Sequence, residues 1–239
     1  MKNKNFKYKY KNEFYKKLSV GGTLLSDVAG DSRFSTDGVS LFLANTYIIQ
    51  KHTLSISAQT AVYQRGIKND HLEFLEAEEL NNISFLFFDF GLGISNYIQI
   101  DRKKSFLIGI SSHHLNKPKQ SLTKNKDVFL HPKYVFHAMF HNRINNKISL
   151  SPKGYYSSQK QDRELVFGCG LEYVLTKKTT LFSGFYIRKD DAVFINLGLQ
   201  KENIEVMVSY DINTSSLVPA SNYSGAFELS ISYGWFLFK

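Results

Sequence analysis

Histidine is the first residue type in this sequence that could carry chemistry. His113, His114, His131, His137 and His141 lie close together in the chain, and imidazole is a common zinc ligand. On a helix, His137 and His141 would share a face and could hold one ion. Tyr134–Phe140 alternates like a strand instead, and residues four apart on a strand are separated by about 13 Å. That is too far to share a zinc, and one cysteine, Cys169, leaves no multi-cysteine site. The histidines are expected in loops and at rims, with no metal. Ser111 and Ser112 beside His113 and His114 could supply a nucleophile and a base. No G-x-S-x-G motif accompanies them, so a strand end running into a loop is expected, not an enzyme. Gly91-Leu92-Gly93 lies in mid-strand without a dinucleotide or P-loop fingerprint. No cofactor is expected.

Charge raises a second possibility. The 239 residues carry 30 Lys plus Arg against 21 Asp plus Glu, a formal charge of +9, which invites nucleic-acid binding. The first 17 residues hold seven lysines and one acid, Glu13, and so carry +6, leaving +3 for the rest. This basic tail, 1–17, is set apart from a nearly balanced body, 18–239. It has no apolar core of a secretory signal. No shared basic groove with stacking aromatics is evident, so no nucleic-acid partner is expected. With 15% aromatic residues and four prolines the chain is not of disordered composition. No apolar run reaches the eighteen or so residues of a membrane helix.

The elements that must position these residues are strands. Leu54, Ile56, Ala58 and Val62 alternate with Ser55, Ser57 and Gln59. Leu165, Phe167, Cys169, Leu171, Tyr173 and Leu175 alternate with Glu164, Gly168, Gly170 and Glu172. Such period-2 patterns predict strands with one apolar face. About twelve are expected, at 15–25, 39–50, 53–63, 86–99, 104–113, 131–141, 146–157, 163–176, 179–188, 192–201, 204–213 and 226–238, with a short helix at most over Leu72–Leu80. Tight turns alternate with a second set of connections, four of six of them long, including Ser26–Gly38. That asymmetry suits an up-and-down outer-membrane barrel. A β-sandwich or a soluble barrel would bury its large apolar residues inward. Here the other face is rich in Gly, Ser and Thr, which suits a hydrated or plugged lumen.

Alternation places Asp89, Glu164, Glu172, Arg188, Glu205, Asp211 and Glu228 on the lumen side, as an ion-pair and hydrogen-bond network. Asp211 and Glu228 are expected to anchor loop Thr214–Gly225. Cys169 is expected to face lipid. Phe14, Tyr15, Tyr155, Tyr156, Trp235, Phe236 and Phe238 fit interfacial girdles.

Several ordered segments carry a more specific signal. Ser209–Leu217, with Ser216 and Leu217, is followed by Ala220-Ser221-Asn222 and by Gly225-Ala226-Phe227-Glu228-Leu229-Ser230-Ile231-Ser232-Tyr233. Upstream stand Tyr186–Val193, with Arg188 and Asp191, then His114-Leu115-Asn116-Lys117-Pro118, Phe90–Gly93 and Asp27-Val28-Ala29-Gly30. Together these resemble the PorP/SprF family, outer-membrane proteins of the type IX secretion system of Bacteroidetes, from about Leu18 to Tyr233. Tyr223-Ser224 stands where the family often has Gly-Arg. The family's usual signal peptide and Asn-Pro-rich opening have no counterpart before Lys16. The resemblance implies a transmembrane barrel of about fourteen strands in a full member and about twelve here. It implies a role in type IX secretion and gliding, with outer-membrane lipid, secreted cargo carrying a dedicated C-terminal domain, and other secretion components as partners. The motif residues His114, Leu115, Asn116, Pro118, Arg188, Asp191, Asp211, Ser216, Leu217, Ser221, Gly225, Phe227 and Glu228 become candidate partner contacts. A porin or small-molecule transporter is the alternative expectation.

Overall fold

The computed structural model describes residues 15–29, 34–67, 83–120, 128–214 and 226–234. Twelve strands follow one another: β1 (Tyr15–Ala29), β2 (Phe34–Ile49), β3 (His52–Ile67), β4 (Ile83–Gln99), β5 (Lys104–His113) and β6 (Lys133–Arg143). Then come β7 (Ile148–Gln159), β8 (Asp162–Thr176), β9 (Thr179–Arg188), β10 (Ala192–Lys201), β11 (Ile204–Asn213) and β12 (Phe227–Tyr233). They form one sheet in chain order from β1 to β12. The hairpin registers are antiparallel, as in Gly38 opposite Tyr63 and Phe194 opposite Tyr186. β5, β9, β10 and β11 have the expected limits to the residue. The expected helix at Leu72–Leu80 lies outside the described residues.

The alternation in sequence is an alternation in exposure. On β8, Leu165, Phe167, Cys169 and Leu171 are exposed, while Glu164, Gly168, Gly170 and Glu172 between them are more covered. On β10, Ile195, Leu197 and Leu199 are exposed and Phe194, Asn196, Gly198 and Gln200 are covered. The buried set includes Thr36, Ser40, Ser105, Ser149, Ser151 and Ser157, and Asp89 is 2% exposed. Water-soluble proteins rarely leave so many large apolar side chains uncovered or bury so many polar ones. This sheet has an apolar face built for a non-aqueous surrounding and a polar face that supplies its own partners.

The expected long loop Ser26–Gly38 is largely strand. β1 runs to Ala29 and β2 starts at Phe34, leaving only 30–33 between them. Ser26 and Asp37, residue types that favour turns, instead lie opposite each other in the ladder, and the Ser26 hydroxyl donates to Asp37 Oδ1 at 2.7 Å. Asp27-Val28-Ala29 therefore ends a strand and does not form a turn. The long connections are 68–82, 114–132 and 214–226, all at the same end of the strands. β1 begins at Tyr15, so Lys16 and Lys17 already lie in the ladder. Two compact units divide the chain, Met1–Asn96 with Ile110–Tyr134, and Tyr97–Gly109 with Val135–Lys239.

Candidate functional site

In the first unit, the polar face carries a cluster at the loop end of β2–β5. Gly38 on β2 lies opposite Tyr63 on β3. A Cβ on Gly38 would stand 2.1 Å from the ring, so only glycine leaves the slot open. The Tyr63 hydroxyl shares a hydrogen bond with Ser40 Oγ at 2.9 Å, and the ring packs 5.3 Å from that of Phe87 on β4. Two residues on, the Arg65 guanidinium lies 5.4 Å from the Phe87 ring and 5.5 Å from the Phe34 ring, within cation–π range. Its Nε donates to Thr36 Oγ1 at 3.1 Å and its Nη1 to Gln120 Oε1. Among the described residues no carboxylate pairs with it.

Below this cluster, Asp89 and His114 approach to 3.0 Å. The contact is close but off the line of a good hydrogen bond, so the buried Asp89 Oδ1 and His114 Nδ1 face each other without another hydrogen-bond partner. His114 adopts a left-handed φ of 58°, and this bends the chain out of β5. Leu115 N–H then donates to Phe90 O at 3.0 Å. The Asn116 side chain completes the join: its Nδ2 donates to Phe88 O at 2.7 Å, and its Oδ1 accepts from Phe90 N at 3.3 Å. Pro118 O accepts from Leu130 N at 2.9 Å, and Lys119 bridges to Phe129. The His-Leu-Asn-Lys-Pro motif is thus a clip that fastens the loop to β4. Its Asn takes over ladder bonds that a strand would otherwise make.

The Ser–His juxtaposition also takes form here. Ser111 Oγ is 3.3 Å from His113 Nε2, and His113 Nδ1 is 3.0 Å from Gln59 Oε1. With Nδ1–H donating to Gln59, Nε2 is left to accept from Ser111. An amide occupies the place an orienting acid would take, while the nearby acid, Asp89, pairs with His114. Gly91 and Gly93 let β4 approach this group; a Cβ on Gly91 would stand 3.1 Å from Ser112 O.

The second unit holds a parallel cluster. Gly168 on β8 lies opposite Tyr186 on β9, which lies opposite Phe194 on β10. The Tyr186 ring, 4% exposed, fills a slot where a Cβ on Gly168 or Gly184 would meet it at 2.5 Å, and it stacks on Phe194 at 5.0 Å. Lys153 Nζ stands 4.9 Å above it. Arg188, two residues on, lies 5.8 Å from the Phe194 ring. Its Nη1 donates to Asp191 Oδ2 at 2.9 Å, and its Nε is 3.3 Å from Glu164 Oε1. An open cavity of about 420 Å³ adjoins them, lined also by His137 and Tyr155. Tyr155 was expected in an interfacial girdle. The alternation of β7 turns it to the polar face beside Ser157, and exposed Tyr156 takes the outward position.

The remaining motif residues tie adjacent segments. Asp191 O accepts from Thr214 N at 2.8 Å. Asp211 Oδ1 accepts from Ala226 N, and Asp211 N donates to Ala226 O at 3.0 Å, so Asp211 holds the residues that flank the loop between β11 and β12. Ser209 Oγ donates to Glu228 Oε2 at 3.3 Å, and exposed Phe227 lies opposite Tyr210. Ser216, Leu217, Ser221 and Gly225 lie outside the described residues, as do Phe14, Trp235, Phe236 and Phe238 of the expected girdles. His141 bonds Ser151 Oγ at 3.0 Å. Among the described residues no three His, Cys, Asp or Glu side chains gather as a metal site. Sequence reasoning passed over Tyr63 and Arg65, and gave Gln59 and Tyr186 no role beyond a strand face and a family segment. The repeated Tyr-x-Arg spacing at 63–65 and 186–188 was the available signal.

An antiparallel meander with an apolar exposed face and a self-paired polar face defines the membrane β-barrel class. The structure is similar to that of the CymD monoaromatic hydrocarbon channel, with a TM-score of 0.51 and 8% sequence identity, covering 83% of this chain and 75% of that one. No curated protein matches the sequence. Residues 2–233 match the family described as type IX secretion system membrane protein PorP/SprF. The chain belongs to that family and is a membrane component of type IX secretion.

Proposed function

We propose that this protein sits in the outer membrane, with its short turns toward the periplasm and its long connections outside. There it partners or anchors secreted cargo of the type IX system and gliding machinery, without catalysing a reaction. The family match over residues 2–233 carries this reading. The grouping of connections 68–82, 114–132 and 214–226 at one end of the strands supports it, because barrels of the outer membrane carry long loops outside and short turns inside. Cargo with the system's C-terminal domain meets these loops; His114–Pro118 fastens connection 114–132, and Asp191 and Asp211 fasten connection 214–226. Other secretion components meet the periplasmic end. The test replaces 119–129 with a short turn, leaving the Asn116 clip intact, in a strain whose secretion depends on this protein. Loss of surface cargo with the barrel still in the membrane is expected; unchanged cargo display overturns the reading.

A channel is the second reading, favoured by the likeness to a hydrocarbon channel. Liposome swelling with small solutes separates the two. Steady permeation supports a channel, and a sealed barrel supports a scaffold.

A further inference from the structure

The turns at the end opposite the long loops share one property within the second unit: they are basic. The β4–β5 turn carries Arg102, Lys103 and Lys104 against Asp101. The β6–β7 turn is bounded by Arg143 and Lys147, the β8–β9 turn is Lys177-Lys178, and the β10–β11 turn follows Lys201 and contains Glu202. All eight cations are exposed. With Glu172 and Glu205, the nearest further carboxylates on the polar face, this end has eight cations against four carboxylates. The other end of the same unit, over 159–164, 188–191, Asp211 and Glu228, has four cations against six. The unit is therefore polarised along its strands.

The basic turns are continuous with one another and with the apolar face. Arg143 N donates to Lys103 O, Val174 N to Lys147 O and Glu202 N to Lys178 O, each at 2.8 Å. Lys178 also pairs with Glu202. Each turn adjoins an exposed apolar residue: Ile100, Ile144, Leu175 and Ile204 are 44–50% exposed. Turns of two to four residues keep their charges within a few ångströms of where the apolar face stops. Lysine and arginine stems can lie along that apolar edge while their heads reach the headgroup layer. Charges this near the apolar edge lie within reach of the headgroup layer, which favours lipid as the occupant of the rim itself.

We infer that the basic turn rim of residues 100–104, 143–147, 177–178 and 201–203 binds the headgroups of anionic phospholipids. Clustered basic residues at a membrane surface attract anionic lipid within about a Debye length. The inference rests on the chain being a membrane barrel.

The full chain, refolded into vesicles, is tested with spin-labelled phosphatidylglycerol and phosphatidylcholine as probes of the lipid shell. Phosphatidylglycerol should associate roughly tenfold more strongly, and the preference should fall toward unity in 1 M salt. K147Q/K177Q/K178Q/K201Q should lose most of it, whereas K160Q/R163Q/K189Q, at the other end, should keep it. Equal association of the two lipids with wild-type protein overturns the inference and leaves an acidic protein as the rim's partner. A preference that survives salt, or that falls equally in both variants, also overturns it. If the rim variant does not fold, the wild-type salt titration decides alone. Failure to insert into either vesicle overturns the barrel reading itself, whereas insertion without preference overturns only the lipid inference.

Discussion

The Tyr63–Arg65 and Tyr186–Arg188 clusters are built to one plan. Each takes a glycine on one strand, a Tyr-x-Arg on the next and a phenylalanine on the third: Gly38, Tyr63, Arg65 and Phe87, against Gly168, Tyr186, Arg188 and Phe194. They differ in how the cation is answered. Arg188 is held by Asp191 of its own hairpin and by Glu164. Arg65 is held by neutral groups, Thr36 and Gln120, and the buried Gln120 Nε2 has no partner. Packing a ring into a glycine slot is thus independent of pairing the charge beside it. Among the described residues, one cluster pairs its cation with carboxylates and the other holds its cation with neutral groups alone.

The largest effect should come from breaking the slots. Gly168→Ala places a Cβ 2.2 Å from the Phe185 carbonyl oxygen, backbone that cannot move aside. A loss of about 3 kcal/mol is expected in urea unfolding of the lipid-reconstituted protein. Gly38→Ala meets the Tyr63 ring most closely and the Val62 carbonyl oxygen only at 2.9 Å, so a side chain bears most of the clash and the cost should be about 1–2 kcal/mol. The reverse order would mean that the slots are not equivalent in the way described.

Removing the arginines tests the charge difference directly. Arg188→Ala leaves two half-exposed carboxylates without their cation and should cost about 1–2 kcal/mol; Arg65→Ala should cost about 1 kcal/mol. A double-mutant cycle of Arg188→Ala with Glu164→Gln should show coupling that shrinks in 1 M salt. Coupling that is absent or indifferent to salt would make the two clusters alike.

The clips come next. Asn116→Ala removes two bonds to β4 and should cost about 1 kcal/mol, with faster hydrogen exchange at the Phe90 amide. Asp211→Asn keeps an oxygen for Ala226 N and should cost less. Asp101, in a turn outside both clusters, gives the smallest effect. Its carboxyl is held below the ordinary range by the Lys103 N–H, helped by that of Lys104 and by both lysine charges. The unfolded chain then binds the proton more readily, so this stabilisation is present above the ordinary carboxylate pKa of about 4 and is lost as pH falls through the lowered value. Asp101→Asn should flatten the acid limb of the stability profile, measured by unfolding from pH 5 to pH 2.

Most of the fold was legible because alternation is a local property. Ile195, Leu197 and Leu199 announce their face without knowledge of any neighbour. The β1–β2 hairpin was less legible because Ser26, Asp27 and Asp37 favour turns, and a cross-strand partner decides whether they make one. The site was legible where motif residues are contiguous, as in His114–Pro118. The glycine slots join residues of different strands, so register, which the sequence does not display, is what reveals them. The same holds for the charge left over after the basic tail. It reads as scattered along the chain, yet the antiparallel fold collects its cations at the turn end of the second unit.

Cys169 is the chain's one thiol, eighth of the fifteen residues of β8, and it stands exposed on the apolar face between Phe167 and Leu171. That position makes it a built-in depth gauge. A nitroxide or a solvent-sensitive fluorophore attached there reads the centre of the apolar band with no engineered cysteine, and a water-soluble maleimide reaching it in intact vesicles would show that the band is not in lipid.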